Sequence, residues 1–365
     1  MTPCRVLHIV GSMNRAGAET MIMNLYREMD RSHYQFDFVY FEEKPCDYDD
    51  EIKQLGGRVF RLPAQNLFGR FLKLFMLLSK GEWRIVHSHT LFSSGLHLLA
   101  AKLARVPQRI AHAHNANDTI PKSIAGWIYK RVMANLLAWC PTDLIACGKA
   151  ASNHLFPGRS NVTILPNAID IDAFVGARAR GTMSPIAAHS AALTILQVGR
   201  LIEVKNHSLS IRIAQQLKRQ GVDFRMFFVG HGPQRDTIDA LIHDNDLQDQ
   251  IIQLGICENI AELMAFADVM LLPSLYEGFP VVLVESQAAG LSSVISSTIS
   301  DEVDLGLGLV HFMDLSAPTE AWASQILAAA KYKIIEPGRR RDTLEARGFS
   351  ARRGAIVLSE VYWDK

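Results

Sequence analysis

The chain has 365 residues, of which 48% are hydrophobic and 21% charged, and it carries a net charge of +1. That length favours two domains, that composition belongs to a globular protein with sizeable cores, and a charge so near zero argues against a nucleic-acid binder. The longest apolar stretch, near residues 67–78, is too short to cross a bilayer as a helix.

The N-terminus runs directly into an apolar strand, VLHIV, with no apolar leader behind a basic start. Short apolar runs then alternate with helical patterns. Strands are expected at 6–10, 36–41, 58–62, 85–89, 109–113, 143–147 and 162–165, with helices that include 18–29, 93–105 and 123–139. This alternation predicts parallel sheets with crossover helices, an α/β fold. The stretch GARARGTMSPIAAHSAA, residues 176–192, reads as a linker. A second series follows, with strands expected at 193–198, 224–229, 251–254, 269–273, 293–296 and 308–312. Its helices include 207–220, 234–244, 260–266, 280–289 and 316–332, and a last helical pattern covers 349–363. The expected domains are therefore 1–175 and 193–348, separated by the linker at 176–192.

Charge is uneven along this plan. Between Arg61 and Arg159 thirteen Lys and Arg face only Glu82, Asp118 and Asp143, an excess of +10 that leaves −9 elsewhere. Within that region the segment 66–80, NLFGRFLKLFMLLSK, has Arg70, Lys73 and Lys80 as its only charges. Such a helix suits an anionic membrane interface, or a buried crossover with snorkelling cations; the regional excess favours the membrane. The five cysteines form no CxxC pair and no zinc-like spacing, which suits a reducing compartment. The expectation is a cytoplasmic protein in peripheral contact with the inner face of the membrane, and no nucleic-acid partner.

Several turns carry chemistry. GSMNRAGAE (11–19) joins the first strand to the first helix, and Gly17 can bring backbone N–H groups to a phosphate there. VHSHT and IAHAHN place His87 with His89, and His112 with His114, at two strand ends. No carboxylate cluster accompanies them, so no metal site is expected. Asp170-Ile171-Asp172 has a metal-binding spelling but lies at the domain boundary. Gly199-Arg200 follows a strand, with Lys205 five residues later; two such cations can clamp a diphosphate. GHG (230–232) permits a close backbone approach, yet Arg235 stands where a dinucleotide fingerprint needs its third glycine, which weakens an NAD-dependent oxidoreductase reading. Finally PSLYEGFPVVLVESQAAG (273–290) sets Glu277 in a loop, expects Pro280 as the first helical residue, and puts Glu285 near the second helical turn.

That last stretch resembles the Glu-x7-Glu signature of retaining glycosyltransferases of family 4, and the resemblance extends over nearly the whole chain. It implies the GT-B fold, two Rossmann-like domains facing across a cleft, with the terminal helix 349–364 packing back on the first domain. It implies a donor site in the second domain: Glu285 on the ribose hydroxyls, Arg200 and Lys205 on the diphosphate, Glu277 with the backbone of Gly278 and Phe279 on the sugar, and Gly17, Gly199 and Gly230 close to the donor. Catalysis would rest on Glu277, Arg200, Lys205 and a strand-end histidine, His114 by its position before Asn115, with His112 in reserve. The implied reaction moves a hexose-type sugar from a nucleotide diphosphate donor to a glycan or polyprenyl-diphosphate-linked acceptor, with retention and without metal or other cofactor. The style is closest to bacterial capsule, exopolysaccharide and O-antigen transferases. A GT-B sugar-nucleotide epimerase, working without an acceptor, and a non-catalytic sugar-nucleotide-binding partner subunit are the alternatives.

Overall fold

A computed structural model describes residues 2–64, 66–115, 120–121, 123–177, 193–331 and 335–363. The chain divides into two compact units: 1–168 with 348–365, and 169–347. Most of the expected linker at 176–192 lies outside the described residues.

The first unit holds seven strands: β1 Cys4–Ile9, β2 Tyr34–Tyr40, β3 Val59–Arg61, β4 Ile85–Ser88, β5 Gln108–Ala113, β6 Asp143–Ala146 and β7 Val162–Ile164. Its helices are α1 Gly17–Glu28, α2 Asp49–Gln54, α3 Leu67–Leu78, α4 Ser94–Leu103, α5 Ile124–Trp139 and α6 Lys149–Leu155. In the second unit α7 Ile171–Val175 precedes β8 Leu193–Val198, α8 His207–Arg219, β9 Phe224–Val229, α9 Arg235–Asp244 and β10 Ile251–Gly255. Then come α10 Ile260–Phe266, β11 Val269–Leu272, α11 Val281–Ala289, β12 Ser293–Ser296, β13 Val310–Met313, α12 Thr319–Ala329 and α13 Pro337–Ala346. The chain ends in α14 Ala351–Trp363, which belongs to the first unit.

Both sheets are wholly parallel. The first runs β3-β2-β1-β4-β5-β6-β7 and the second β10-β9-β8-β11-β12-β13. Helices cover both faces of such sheets, so the strands read as near-continuous apolar runs. All seven residues of β2 are buried, Asp37 among them. That acid survives because Arg5, Arg58 and the Trp83 indole all donate to it, holding its carboxyl below the usual range against burial.

Two clusters fill the faces of each sheet. α14 sets Ala351, Ala355, Leu358 and Tyr362 against Met21 and Leu25 of α1. Segment 169–175, expected at the end of the first domain, is instead part of the second unit. α7 packs on α10, α11 and α13, and Asp172 pairs with Arg341 of α13. A five-residue helix is too short for periodicity to show which core it serves. Pro280 is also shifted by one place: it caps α11, whose first residue is Val281.

Candidate functional site

In a doubly wound sheet, ligands gather beyond the carboxyl ends of the strands where the strand order reverses. That point lies between β8 and β11 in the second unit and between β1 and β4 in the first.

Beyond β8 the chain turns through Gly199 and Arg200 and makes one 3-10 turn, Glu203–Lys205. Asn206 follows in the left-handed region at φ 53°; its side chain donates to the carbonyl of Pro273, and Leu275 N–H donates to the Val204 carbonyl. The β8 and β11 loops are thus tied together. In this frame Lys205 Nζ lies 2.6 Å from Glu277 Oε1, and Ser274 Oγ donates to the same oxygen at 2.7 Å. Ser274 is itself fixed, its carbonyl accepting from Ser296 Oγ and Thr298 Oγ1. Both partners of the ion pair are largely shielded, whereas Arg200 is exposed and, among the described residues, no acid pairs with it.

Gly230 closes this floor. A Cβ there would stand 2.0 Å from the Gly199 carbonyl oxygen, and its φ of +142° suits only glycine. Two chain turns therefore meet backbone against backbone, with Gly199 under the Lys205 side chain. Gly278 and Phe279 are partly buried before α11. Glu285, on the second turn of α11, keeps some exposure to solvent and has no hydrogen-bond partner among the described residues. The protein crowded around it pushes its carboxyl up to about 7.

The first unit is built differently. Gly17 is the first residue of α1, and Ala16 caps it. The four histidines stand at the ends of the paired strands β4 and β5 and converge there, and a fifth, His8 of β1, joins them. His8 Nδ1 meets His89 Nε2 at 3.0 Å, His89 Nδ1 meets His114 Nε2 at 2.8 Å, and His114 Nδ1 lies 3.4 Å from Asn167 Oδ1. A second chain runs from Tyr362 OH of α14 to His87 Nδ1 at 2.9 Å and from His87 Nε2 to His112 Nδ1 at 3.2 Å. Burial holds the imidazoles neutral: His8 is lowered to about 3, His114 to about 4, and His87, His89 and His112 far below the usual value. Each neutral ring has one N–H, so the donors along His8, His89 and His114 must all point the same way. Two groups, His8/His87/His89 and His89/His112/His114, bring ring nitrogens within 4.8 Å of one another, and no described carboxylate joins either.

Beside this cluster a cavity of about 400 Å³ opens past β1, β2 and β4, lined by Ser12, Phe41, Arg70, Thr90, Ser93 and His97 among others. Arg70 does not face outward as a headgroup ligand would. Its guanidinium lies 5.3 Å over the Phe41 ring, and its buried Nε has no partner. Lys73 is likewise turned back, donating to the Pro63 carbonyl.

The structure therefore brings Lys205 and Glu277 together, shows no partner for Arg200 or Glu285 among the described residues, and gathers His87, His89, His112 and His114. Sequence reading missed Ser274, Asn206, His8, Asn167 and Tyr362. Ser274 carried a signal, since it stands three residues before Glu277 in the same motif. His8 carried none, because only the pairing of β1 with β4, His8 beside His87, reveals it.

Known proteins resemble this chain. The family described as "Glycosyltransferase Family 4" matches residues 15–173, and "Glycosyl transferases group 1" matches 185–301. EpsF of Bacillus subtilis strain 168, named as a glycosyltransferase, is 40% identical over 98% of this chain and 96% of its own. An Escherichia coli enzyme named as UDP-Gal:alpha-D-GlcNAc-diphosphoundecaprenol alpha-1,3-galactosyltransferase is 26% identical over 80% of this chain and 79% of its own. Among solved structures, Anabaena Alr3699/HepE in complex with UDP-glucose aligns over 98% of this chain and 99% of its own, with a TM-score of 0.77 at 17% identity. Two parallel Rossmann-like sheets, both family matches and the likeness to EpsF along nearly the whole chain establish this protein as a GT-B glycosyltransferase of family 4.

Proposed function

We propose that the protein transfers a hexose-type sugar from a nucleotide diphosphate donor to a glycan or polyprenyl-diphosphate-linked acceptor, with retention of configuration, in bacterial surface polysaccharide synthesis. The observation that carries this reading is the shielded Lys205–Glu277 pair at the β8–β11 switch point, with exposed Arg200, which no described acid pairs, in the same β8 loop as Lys205. An arriving diphosphate gives Arg200 the anion it lacks and shares Lys205 with Glu277. Lys205 is held in place beforehand, so little reorganisation is needed when the leaving diphosphate gains charge. Glu277, oriented by Ser274, then serves the sugar, with the Gly278 and Phe279 backbone beside it. Glu285 serves the ribose hydroxyls; its carboxyl, with no partner among the described residues, is available as an acceptor.

The cations replace a divalent ion in this scheme, and attack comes from the face the diphosphate leaves, so no protein nucleophile is required. In the first unit, neutral His114 is the group for the sugar at its reacting end, exchanging its long 3.4 Å contact with Asn167 for a sugar hydroxyl. The cavity lined by Ser12, Arg70, Thr90 and Ser93 is the acceptor's place, since its hydroxyls and guanidinium match a polyhydroxyl ligand. The UDP-glucose bound by HepE and the lipid-linked acceptor named for the E. coli relative support both substrate classes. A cytoplasmic place at the inner membrane face follows from such an acceptor; no described helix is long and apolar enough to cross a membrane.

The test is transfer to a diphosphate-lipid-linked glycan with chelator present, followed by NMR of the new anomeric centre. A retained configuration at undiminished rate is expected. Inversion, or loss of activity on chelation, contradicts the reading.

A further inference from the structure

Most helices of the first unit hide their apolar residues, but α5 does not. Its inner side is buried through Gly126, Met133 and Leu137. Its outer side leaves Ile124 81%, Trp127 68%, Ile128 51%, Val132 46% and Trp139 63% exposed. At 3.6 residues per turn these five fall within one arc of about 140°, which also carries exposed Arg131 and Asn135. Globular monomers rarely leave so large an apolar stripe uncovered, and such stripes mark binding surfaces.

The charges beside the stripe all have one sign. α5 contributes Lys130 and Arg131, and its sequence contains no acid. From α4, Lys102 places its ammonium 3.2 Å over the Trp139 ring and donates to the Trp139 carbonyl. α3 and α4 contain no acid either. On the same core cluster α3 adds exposed Phe68, Leu72 and Met76. A second copy meeting this face on itself would oppose cation to cation. A bilayer with anionic headgroups meets both requirements, apolar depth for the side chains and negative charge at the rim. Tryptophan, apolar in body and polar at its N–H, is the residue that settles at such an interface.

We propose that the outer face of α5, centred on Trp127, Ile128 and Trp139 with Arg131 among them and Lys102 against Trp139, docks on the surface of an anionic phospholipid bilayer. This places the membrane contact on α5 rather than on α3, whose Arg70 and Lys73 are engaged with the Phe41 ring and the Pro63 carbonyl. The helix lies in the plane of the interface; its sixteen residues are too few to span the hydrocarbon. The lipid-linked acceptor proposed above gives the surface its purpose. The contact itself is measured without donor or acceptor, so it stands or fails apart from that reading.

The experiment is co-sedimentation of the whole chain with phosphatidylglycerol vesicles at low salt. Binding is expected, weakening as salt rises, with intrinsic tryptophan fluorescence quenched by brominated lipid. The double substitution Trp127→Ser with Ile128→Ser, on an exposed face, is expected to lower vesicle affinity at least about tenfold while UDP binding stays as in the wild type. Failure of the wild type to bind these vesicles overturns the proposal, as does a folded double variant that binds as well. A concentration-dependent dimer that the same substitutions dissociate, without vesicle binding, assigns the face to a second copy and also overturns it.

Discussion

At the carboxyl ends of β8 and β11 the second unit gathers charge: Lys205 against Glu277, exposed Arg200, and Glu285 without a partner among the described residues. At the corresponding ends of β1, β4 and β5 the first unit gathers five imidazoles, all neutral, joined ring to ring. Topology gives both units the same kind of crevice, and side-chain chemistry divides the labour between them. The charged floor is suited to a diphosphate. The neutral cluster carries hydrogen-bonding nitrogens without a net charge.

The sharpest way to break the charged half is its backbone. Gly230→Ala puts a methyl group 2.0 Å from the Gly199 carbonyl, at a φ of +142°. Conformational strain alone costs about 1–3 kcal/mol. Denaturant unfolding should show at least that loss, with nucleotide binding abolished; wild-type values in both would remove the packed-turn account. Next in size is Lys205→Ala, which leaves shielded Glu277 without its cation. Loss of one charge-assisted hydrogen bond, about 1.5–3 kcal/mol, corresponds to a fall in kcat/KM of roughly tenfold to a hundredfold or more. Steady-state kinetics with Lys205→Arg as partial rescue measure it.

The neutral half is broken more gently. His114→Ala is expected to lower kcat at least about tenfold, the scale of one positioned group, while the dissociation constant of the donor diphosphate stays unchanged. A matching loss of diphosphate affinity would mean that His114 belongs to the charged floor instead.

The smallest effect distinguishes the two halves by sign. Glu285 is raised to about 7 from an unfolded value near 4.5, so the folded protein holds the extra proton and loses stability as pH rises through that window. His8 and His114 are lowered to about 3 and 4 from 6.5, so the unfolded chain holds the extra protons and stability falls as pH drops below 6.5. Melting temperatures of Glu285→Gln should therefore exceed those of the wild type above pH 7, and the gap should close toward pH 5. His8→Phe should flatten the acid limb instead. Identical profiles for all three proteins would show that neither group is shielded as described.

Much of this was legible in the sequence because period and burial are local. Fully buried parallel strands gave continuous apolar runs, and most observed strand bounds fall within two residues of expectation. The Glu277 and Glu285 spacing and the Gly199-Arg200 turn were visible for the same reason. What was not legible depends on which strands are neighbours. The Lys205–Glu277 contact, 72 residues apart, exists because β8 pairs with β11, and His8 joins the histidines because β1 pairs with β4. The assignment of α7 to the second unit and the inward turn of Arg70 onto Phe41 are likewise tertiary facts. The outer face of α5 was not legible because its sequence shows which residues are apolar, not which of them meet the core.

The central claim is that the second unit binds a donor diphosphate through Arg200 and Lys205 with no divalent ion. Calorimetric titration of UDP into the whole chain with EDTA present tests it most directly. Binding should persist in EDTA and weaken at least about a hundredfold, two charge-assisted contacts' worth, in the Arg200→Ala, Lys205→Ala double variant. Binding that requires a divalent ion, or a folded double variant with wild-type affinity, would contradict it.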